Sequence, residues 1–549
     1  MTSTPASHTR NILYNRTNVD ADGDALMCIP GPSSECKRPL STHAQLSKKR
    51  QRHDTLHDTT PIESSLSSDE EEEEATRCTR LSRRRDAYGL RLRAMTSSSG
   101  CSSIAESPTS PILQSFVSSD KADVFKCEST ETESFTTPIY ACAYSHEAKR
   151  GANALLAVAT EQGVVHILNT ARRELWDVEP QRTTFQPYAN GIFDVQWSPD
   201  DTLIATACGG QRAQVSQLAP TGPRVLYHLL GHSGTVKCIS WNPTRVGSVL
   251  STGGRDGSIR IWDLRVGENA GDEGELAPVI TILGAHDEDG KVKPRARKGK
   301  LTPAAALRSV TSVLYAEDSP NTLISSGSQD GILRQWDLLM PDMVKRNTKP
   351  KGLEARRSSV DPTAAYNASG RARGISNLSL GSGPTAGYLF ALSNDSLVHT
   401  YDAASLEPFS GRSTNQEADP WSYGHANMRT GSFYVRSAVS PCGRWLASGG
   451  AEKGSVFLFD VSGSTTSRLS GHPSDLARRR GVQLHGQSGE VGVVDWANDM
   501  LATCSDDGIV RVWRPDIERY RQCQADPEQS RWNWKWTASD VGSCGFDIA

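Results

Sequence analysis

Seven segments of this 549-residue chain end alike, and that recurrence limits the fold more than any other feature. The segments are "GVVHILNT", "AQVSQL", "GSIRIWDL", "GILRQWDL", "DSLVHTYD", "GSVFLFDV" and "GIVRVWRP". Their equivalent position falls at Leu168, Ser216, Trp262, Trp336, Tyr401, Phe459 and Trp513. Each alternates apolar with polar residues, the period of a strand with one buried face, and most follow a turn of Gly, Asp, Asn or Ser.

The spacings are 48, 46, 74, 65, 58 and 54 residues. The first two sit just above the length of a four-stranded propeller blade, and insertions explain the longer ones, the largest over 266–307 and 341–370. Seven such units close into a ring and so leave no sheet edge exposed. The fold expected is an all-β, seven-bladed WD-repeat β-propeller over 111–515. Before it lies a disordered N-terminal arm, 1–110, low in hydrophobic residues and containing the run Ser67 to Glu74, "SSDEEEEE". A tail, 516–549, follows. The segment Ser115 to Thr130 is the candidate for the strand that completes the last blade.

Gly-His pairs stand upstream of several units, at Gly231-His232, Gly424-His425 and Gly471-His472, with Ala285-His286 looser. In the third unit His232 can bond Asp256 in the turn, while Ser251 or Thr252 links that pair to the Trp262 indole. Such a network locks a blade, because an unsatisfied buried member costs about 1–3 kcal/mol. His232, Asp256, Trp262, Asp330, Trp336, Asp507 and Trp513 are therefore assigned to blade networks and not to metal binding or catalysis. The second unit has Gly210 and Ser216 where Asp and Trp are expected, so its blade must be held by packing.

Reactive motifs fail in turn. "GSGPTAG", Gly381 to Gly387, lacks the Lys and Ser/Thr of a phosphate loop; His146-Glu147 has no second His at helical spacing; Gln487-Ser488-Gly489 is no nucleophile elbow. Twelve cysteines are scattered with no Cys-x-x-Cys pair, which reads as reduced thiols. No catalysis, cofactor or metal is expected. No apolar run reaches membrane-spanning length, and a net charge of −3 argues against wholesale coating of nucleic acid. A soluble protein with no membrane partner is expected.

Local basic runs remain at Lys48 to Arg52, Lys291 to Lys300 and Lys345 to Arg357. The first reads as a nuclear-import signal or a solvated run, the others as solvated loops. "ESPTSP", Glu106 to Pro111, allows proline-directed phosphorylation. In Arg77 to Met95, the residues Leu81, Tyr88, Leu92 and Met95 fall on one helical face, which reads as a partner-binding helix or as disordered chain.

One strand end carries a further signal. In "STGGRDGSIRIWDLR" the turn Gly253 to Asp256 leads through Ile259 and Ile261 to Trp262-Asp263-Leu264-Arg265. This is similar to the Trp-Asp-x-Arg box of receptors that dock on the damaged-DNA-binding adaptor of cullin-4 ubiquitin ligases. More widely, "TGGRDGSIRIWDLR", "ILGAHDEDGKVKPRARKGK" and "SVTSVLYAEDSPNTLISSGSQDGILRQWDLL" resemble, in order and spacing, the Denticleless (Cdt-two) family of replication-coupled substrate receptors. "GSFYVRSAVSPCGRWLASGGAEKGSVFLFDV" and "ATCSDDGIVRVWRP" resemble its sixth and seventh blades.

The resemblance spans roughly Pro138 to Pro515 and implies a non-enzymatic nuclear subunit. One rim would grip the adaptor through Arg265, with Asp263 and Trp262; the other side, with Arg255 as a candidate, would present PCNA-bound replication and cell-cycle substrates. Direct nucleic-acid binding is not expected. Two departures stand out: Trp336-Asp337-Leu338-Leu339 has leucine where the box would carry arginine, and the tail with "RWNWKW", Arg531 to Trp536, lacks a clamp-binding motif. The alternative, from a different class, is a WD-repeat scaffold for a chromatin or RNA-processing assembly.

Overall fold

The computed structural model describes residues 110–537, apart from 131–134, 175–178, 220–221, 270–273, 288–307, 317–318, 343–350, 366–369, 410–418, 420, 433 and 463–480. The arm, the 77–95 segment, the runs Lys48 to Arg52 and Lys291 to Lys300, and Gly471-His472 lie outside the described residues.

Antiparallel pairing dominates. Five separate sheets have four or five strands, and a further sheet has nine. The strand at the start of each unit packs beside its counterpart in the next. Ile139–Tyr144 lies by Ile192–Trp197, which is followed in turn by Val236–Trp241, Val310–Ala316, Ile375–Leu380, Ser437–Val439 and Val482–Trp496; the last packs on Ile139–Tyr144 and closes the circuit. The nine-stranded sheet runs through the 15-residue strand Val482–Trp496, which pairs with Gly450–Asp460 at its start and with Leu501–Ser505 at its end.

The inner strands are riveted by a repeated polar device. Trp197 Nε1 donates to Ala143 O at 2.9 Å, Trp241 Nε1 to Gln196 O at 3.2 Å and Trp496 Nε1 to Ala438 O at 3.0 Å, each indole reaching back to the preceding inner strand. In the other direction, Asp194 accepts from Ile239 N at 2.7 Å, Asn377 from Ser437 N at 3.2 Å and Asp495 from Tyr144 N at 2.7 Å. These bonds satisfy backbone groups that sheet pairing leaves open between neighbouring sheets. Arg436 reaches across the circuit, bonding Asp194 at 2.7 Å and the Phe193 carbonyl at 2.6 Å.

The ends of the folded region meet. Phe116–Ser119 and Val124–Lys126, from the segment proposed to complete the last blade, both pair with Ile509–Pro515. The sequence reading ended the folded region at Pro515, and this needs correction. Beyond it a helix, Ile517–Ala525, is capped by Asp516, and the strand Trp534–Trp536 pairs with the far edge of Phe116–Ser119. Arg511 and Lys535 flank Asp120 at 2.9 and 3.4 Å, and Arg519 stacks over Trp534 at 4.7 Å. Alternation over three residues is too short a signal to betray such a strand.

The two insertions are also shorter than expected. Ile280–Ile282, inside 266–307, pairs with Ile259–Asp263 as the outer strand of its sheet. Lys351–Arg357, inside 341–370, does the same for Arg334–Asp342. Outer strands face solvent on one edge and carry charge, so "KGLEARR" reads as a basic loop when taken alone.

Candidate functional site

The third sheet assembles the network that its sequence suggests. His232 Nδ1 lies 3.0 Å from Asp256 Oδ2, its Nε2 lies 2.8 Å from Thr252 Oγ1, and Trp262 Nε1 donates to that same oxygen at 2.9 Å. Ser251 bonds the Ser240 carbonyl instead. Asp256 also accepts from Ser233 N, Ser258 N and Ser258 Oγ. Burial pushes His232 below its ordinary value, against the opposing pull of Asp256. Asp256 is itself driven low: burial acts to raise it, but the bonds from His232, Ser233 and Ser258 prevail.

The seventh unit repeats this plan with an amide in place of the imidazole. Gly486-Gln487-Ser488-Gly489 stands where Gly231-His232-Ser233-Gly234 stands in the third. Gln487 Oε1 accepts from Thr503 Oγ1 at 3.1 Å, Trp513 Nε1 donates to Thr503 Oγ1 at 3.1 Å, and Asp507 accepts from Ser488 N at 2.9 Å. Taken alone, Gln487-Ser488-Gly489 reads only as a failed nucleophile motif, yet the Gly-x-Ser-Gly frame around Gln487 is shared with His232.

In the fourth sheet His286 Nε2 and Trp336 Nε1 both bond Ser325 Oγ at 2.9 Å. Asp330 does not join them, which corrects its assignment to that network; it pairs with Arg308 at 2.8 Å. The reason is local: Arg308 follows the 288–307 segment directly and supplies a cation that a half-buried carboxylate binds more strongly than a neutral ring. The second sheet has a smaller polar link after all. The Tyr188 hydroxyl donates to the Thr206 carbonyl at 3.1 Å, while Ser216 is fully buried.

Arg265 and Arg255 lie at opposite ends of the strand Ile259–Asp263. Arg255 is exposed in the turn before it, with its N–H donating to Thr235 O at 2.8 Å. Arg265 begins the connection after it, with 59% of its side chain exposed. Two parallel bonds hold its guanidinium on Asp263, from Nε at 2.9 Å and from an amino group at 2.6 Å, and its N–H closes the same carboxylate turn at 3.1 Å. The Arg265 bond is what chiefly holds the Asp263 carboxyl below its ordinary value. Trp262 is wholly buried. Its expected part in partner contact is therefore corrected: the indole is spent inside the blade on Thr252, and no face of it reaches the surface.

Among the described residues no group of three His, Cys, Asp or Glu could hold a metal ion, and no helix is long and apolar enough to cross a membrane. Burial pushes the Cys127 and Cys238 thiols up to about 12, so neither supplies a thiolate at neutral pH.

The WD domain, G-beta repeat family model matches residues 179–214, 223–263, 303–337 and 479–514, each ending on or just after one of the recurrent strands. The chain is 32% identical over 390 residues to the Denticleless protein homolog of Danio rerio, covering 69% of this chain and 52% of that protein. It is 29% identical to the human Denticleless protein homolog, over 66% of this chain and 44% of that one, and 28% identical to the protein lethal(2)denticleless of Drosophila melanogaster, over 66% and 43%. The chain thus spans about half the length of the curated relatives it matches. The circuit of sheets, the repeated Trp-centred networks and these likenesses agree: this is a WD-repeat β-propeller protein of the Denticleless family.

Proposed function

We propose that this chain is the non-enzymatic substrate-recognition subunit of a nuclear cullin-4 ubiquitin ligase, built on a seven-bladed ring. In this reading the nine-stranded sheet is two blades joined through Val482–Trp496. That strand is the outer strand of one blade where it meets Gly450–Asp460 and the inner strand of the next where it meets Leu501–Ser505. The damaged-DNA-binding adaptor docks on the rim at Arg265, and PCNA-bound replication and cell-cycle proteins are presented from the opposite rim, where Arg255 lies.

The observation that carries the reading is the state of Arg265. Its head is exposed yet held by Asp263 in a forked geometry, so little side-chain freedom is lost when a partner carboxylate approaches. Asp263 acts as a positioning residue, and Trp262 acts only through the blade it locks. The exposed cation faces outward from a rigid β scaffold, the arrangement expected of a charged interface anchor.

The test is affinity purification of the full chain from nuclei of replicating cells, with and without Arg265→Ala, reading out cullin, adaptor and clamp-associated proteins. Adaptor recovery is expected to fall by at least about tenfold with an unchanged melting temperature. Equal recovery with both chains would overturn the assignment of Arg265.

A further inference from the structure

The basic run Lys345 to Arg357 plays no part in the proposed function, and its last two residues stand directly before a pair of serines. The outer strand of the fourth sheet, Lys351–Arg357, runs straight into Ser358 and Ser359, followed by Val360. The two serines differ in surroundings. Ser358 is buried: its Oγ accepts from Leu333 N at 2.9 Å and its N–H donates to Leu333 O at 3.0 Å, so the strand contact continues one residue past Arg357. Ser359 and Val360 are exposed. At Asp361 the chain is caught again, because that carboxylate accepts from Gly331 N at 3.1 Å and from Thr363 N and Oγ1 at 2.9 and 2.6 Å. Ser359 and Val360 therefore form a short protrusion between two fixed points.

The protrusion is clasped to the neighbouring sheet. Ser359 Oγ donates to Glu407 Oε2 at 2.6 Å, and its N–H donates to Glu407 Oε1 at 3.1 Å. Glu407 belongs to the 402–407 turn that follows the strand Val398–Asp402, a turn closed by Asp402 N donating to Glu407 O at 3.0 Å. Arg356 donates to the Ala404 carbonyl of the same turn and is exposed. Arg357 is less exposed and forks onto Glu354, at 2.7 and 3.0 Å. One carboxylate thus holds the Ser359 amide and hydroxyl together, and an exposed guanidinium grips the same turn from three residues upstream.

We propose that Ser359 is a phosphorylation site for an arginine-directed protein kinase, and that the phosphate releases this clasp. The recognition chemistry lies in the order Arg356-Arg357-Ser358-Ser359-Val360: two guanidinium groups stand shortly before the exposed hydroxyl and an apolar side chain directly after it. An acidic substrate cleft reads such a charge pattern. The Ser359 oxygen attacks the γ-phosphorus of the kinase's ATP; its bond to phosphorus forms as the bond from phosphorus to the β–γ bridging oxygen breaks, ADP leaves, and the hydroxyl proton passes to the kinase's base. The product cannot keep the clasp. The oxygen that donated to Glu407 has lost its proton, and about two negative charges now face that carboxylate, with Asp361 two residues on. Arg356, the more exposed of the two arginines, pairs with the phosphate and in doing so leaves the Ala404 carbonyl. This inference does not depend on the adaptor reading above.

The experiment treats the purified, folded full chain with ATP and the catalytic subunit of cyclic-AMP-dependent protein kinase, and reads occupancy by mass spectrometry of the tryptic peptide 358–371. Ser359 is expected to fill with phosphate in the wild type, Ser359→Ala to leave that peptide unmodified, and Arg356→Ala to slow the reaction by at least about tenfold. Amide hydrogen exchange in the 402–407 turn should rise in the phosphorylated chain while that of the strand Tyr388–Ser393 stays unchanged. The same peptide, recovered from replicating cells kept in phosphatase inhibitor, should carry the phosphate. Phosphate on Ser358, or on Ser359 only after the chain is heat-unfolded, overturns the assignment, since the folded chain would not then present this hydroxyl. A wild-type rate in Arg356→Ala overturns the recognition, unchanged exchange in the 402–407 turn overturns the release of the clasp, and an unmodified peptide from cells overturns the regulatory role.

Discussion

His286 and His399 sit in neighbouring sheets and are each only 1% exposed, yet their surroundings drive them to opposite charge states. Burial pushes His286 down to about 3, and the guanidinium groups of Arg334, Arg308 and Arg357 push the same way. Burial acts on His399 in the same direction but is outweighed: Asp395 lies 2.8 Å from Nε2 and Asp419 lies 4.0 Å from Nδ1, and the ring ends at about 9. The first is a neutral member of a hydrogen-bond chain through Ser325 to Trp336. The second is a buried cation between two carboxylates. The contrast teaches that one residue type serves as a fastener in this ring by two different chemistries, and that the identity of the neighbours, not depth, selects which.

The largest effect should come from removing the charged member. His399→Leu takes the cation from between two neighbouring carboxylates, Asp395 and Asp419, a loss of about 3–5 kcal/mol in denaturant unfolding. A cost below about 1 kcal/mol would mean that His399 is neutral in the folded protein. The two rings also give opposite pH limbs. The folded value of His399 is raised, so its contribution is complete below about 6.5 and is lost as pH rises towards about 9. That of His286 is lowered, so its contribution is complete above about 6.5 and is lost as pH falls towards about 3. Unfolding midpoints measured across this range should show His399→Gln flattening the alkaline limb and His286→Gln the acid one. If both variants flatten the same limb, the contrast is wrong.

A middle-sized effect should come from the hydroxyl that the neutral chain shares. Ser325→Ala leaves Trp336 Nε1 and His286 Nε2 without their common partner inside the protein, costing about 1–3 kcal/mol. Thr252→Val in the third sheet removes the equivalent oxygen from Trp262 and His232 and should cost a similar amount. A neutral outcome for Ser325→Ala with a large one for Thr252→Val would show that the fourth sheet does not depend on its hydrogen-bond chain.

How much of this was legible in the sequence follows from what each signal requires. Six of the seven strand ends were legible because a bulky apolar residue closes an alternating strand at a regular place, and the seventh, at Ser216, followed from the spacing. The third network was legible because histidine and aspartate are chemically conspicuous. Gln487 was not, since an amide draws no notice until the frame around it is laid over that of His232. His399 escaped for another reason: it lies inside a strand, at a position that period-2 alternation reads as a simple inward side chain. The riveting bonds of Asp194, Asn377 and Asp495 join residues from different units, and no local pattern announces them. Outer strands such as Lys351–Arg357 and Trp534–Trp536 were lost among charge and brevity. The Arg265 end of its strand was legible, because Trp-Asp-Leu-Arg sets a charge at a fixed offset from the indole.

The smallest effect concerns the aspartate that the sequence misplaced. Asp256 and Asp330 occupy the same turn in adjoining units, but Asp256 gathers His232, Ser233 and Ser258 around it, while Asp330 meets Arg308 and the Ile332 N–H. Both side chains of the Arg308–Asp330 pair are about a fifth exposed, so water shares the work of solvating them. Asp330→Asn should therefore cost under about 1 kcal/mol, because an amide still accepts from Ile332 and the arginine can turn to solvent. Asp256→Asn should cost about 1–3 kcal/mol, since an amide has one oxygen for four donors and presents its own N–H groups to them. If the two substitutions cost the same, the fourth unit uses its aspartate as the third does, and the neutral chain through Ser325 is not what holds His286 in place.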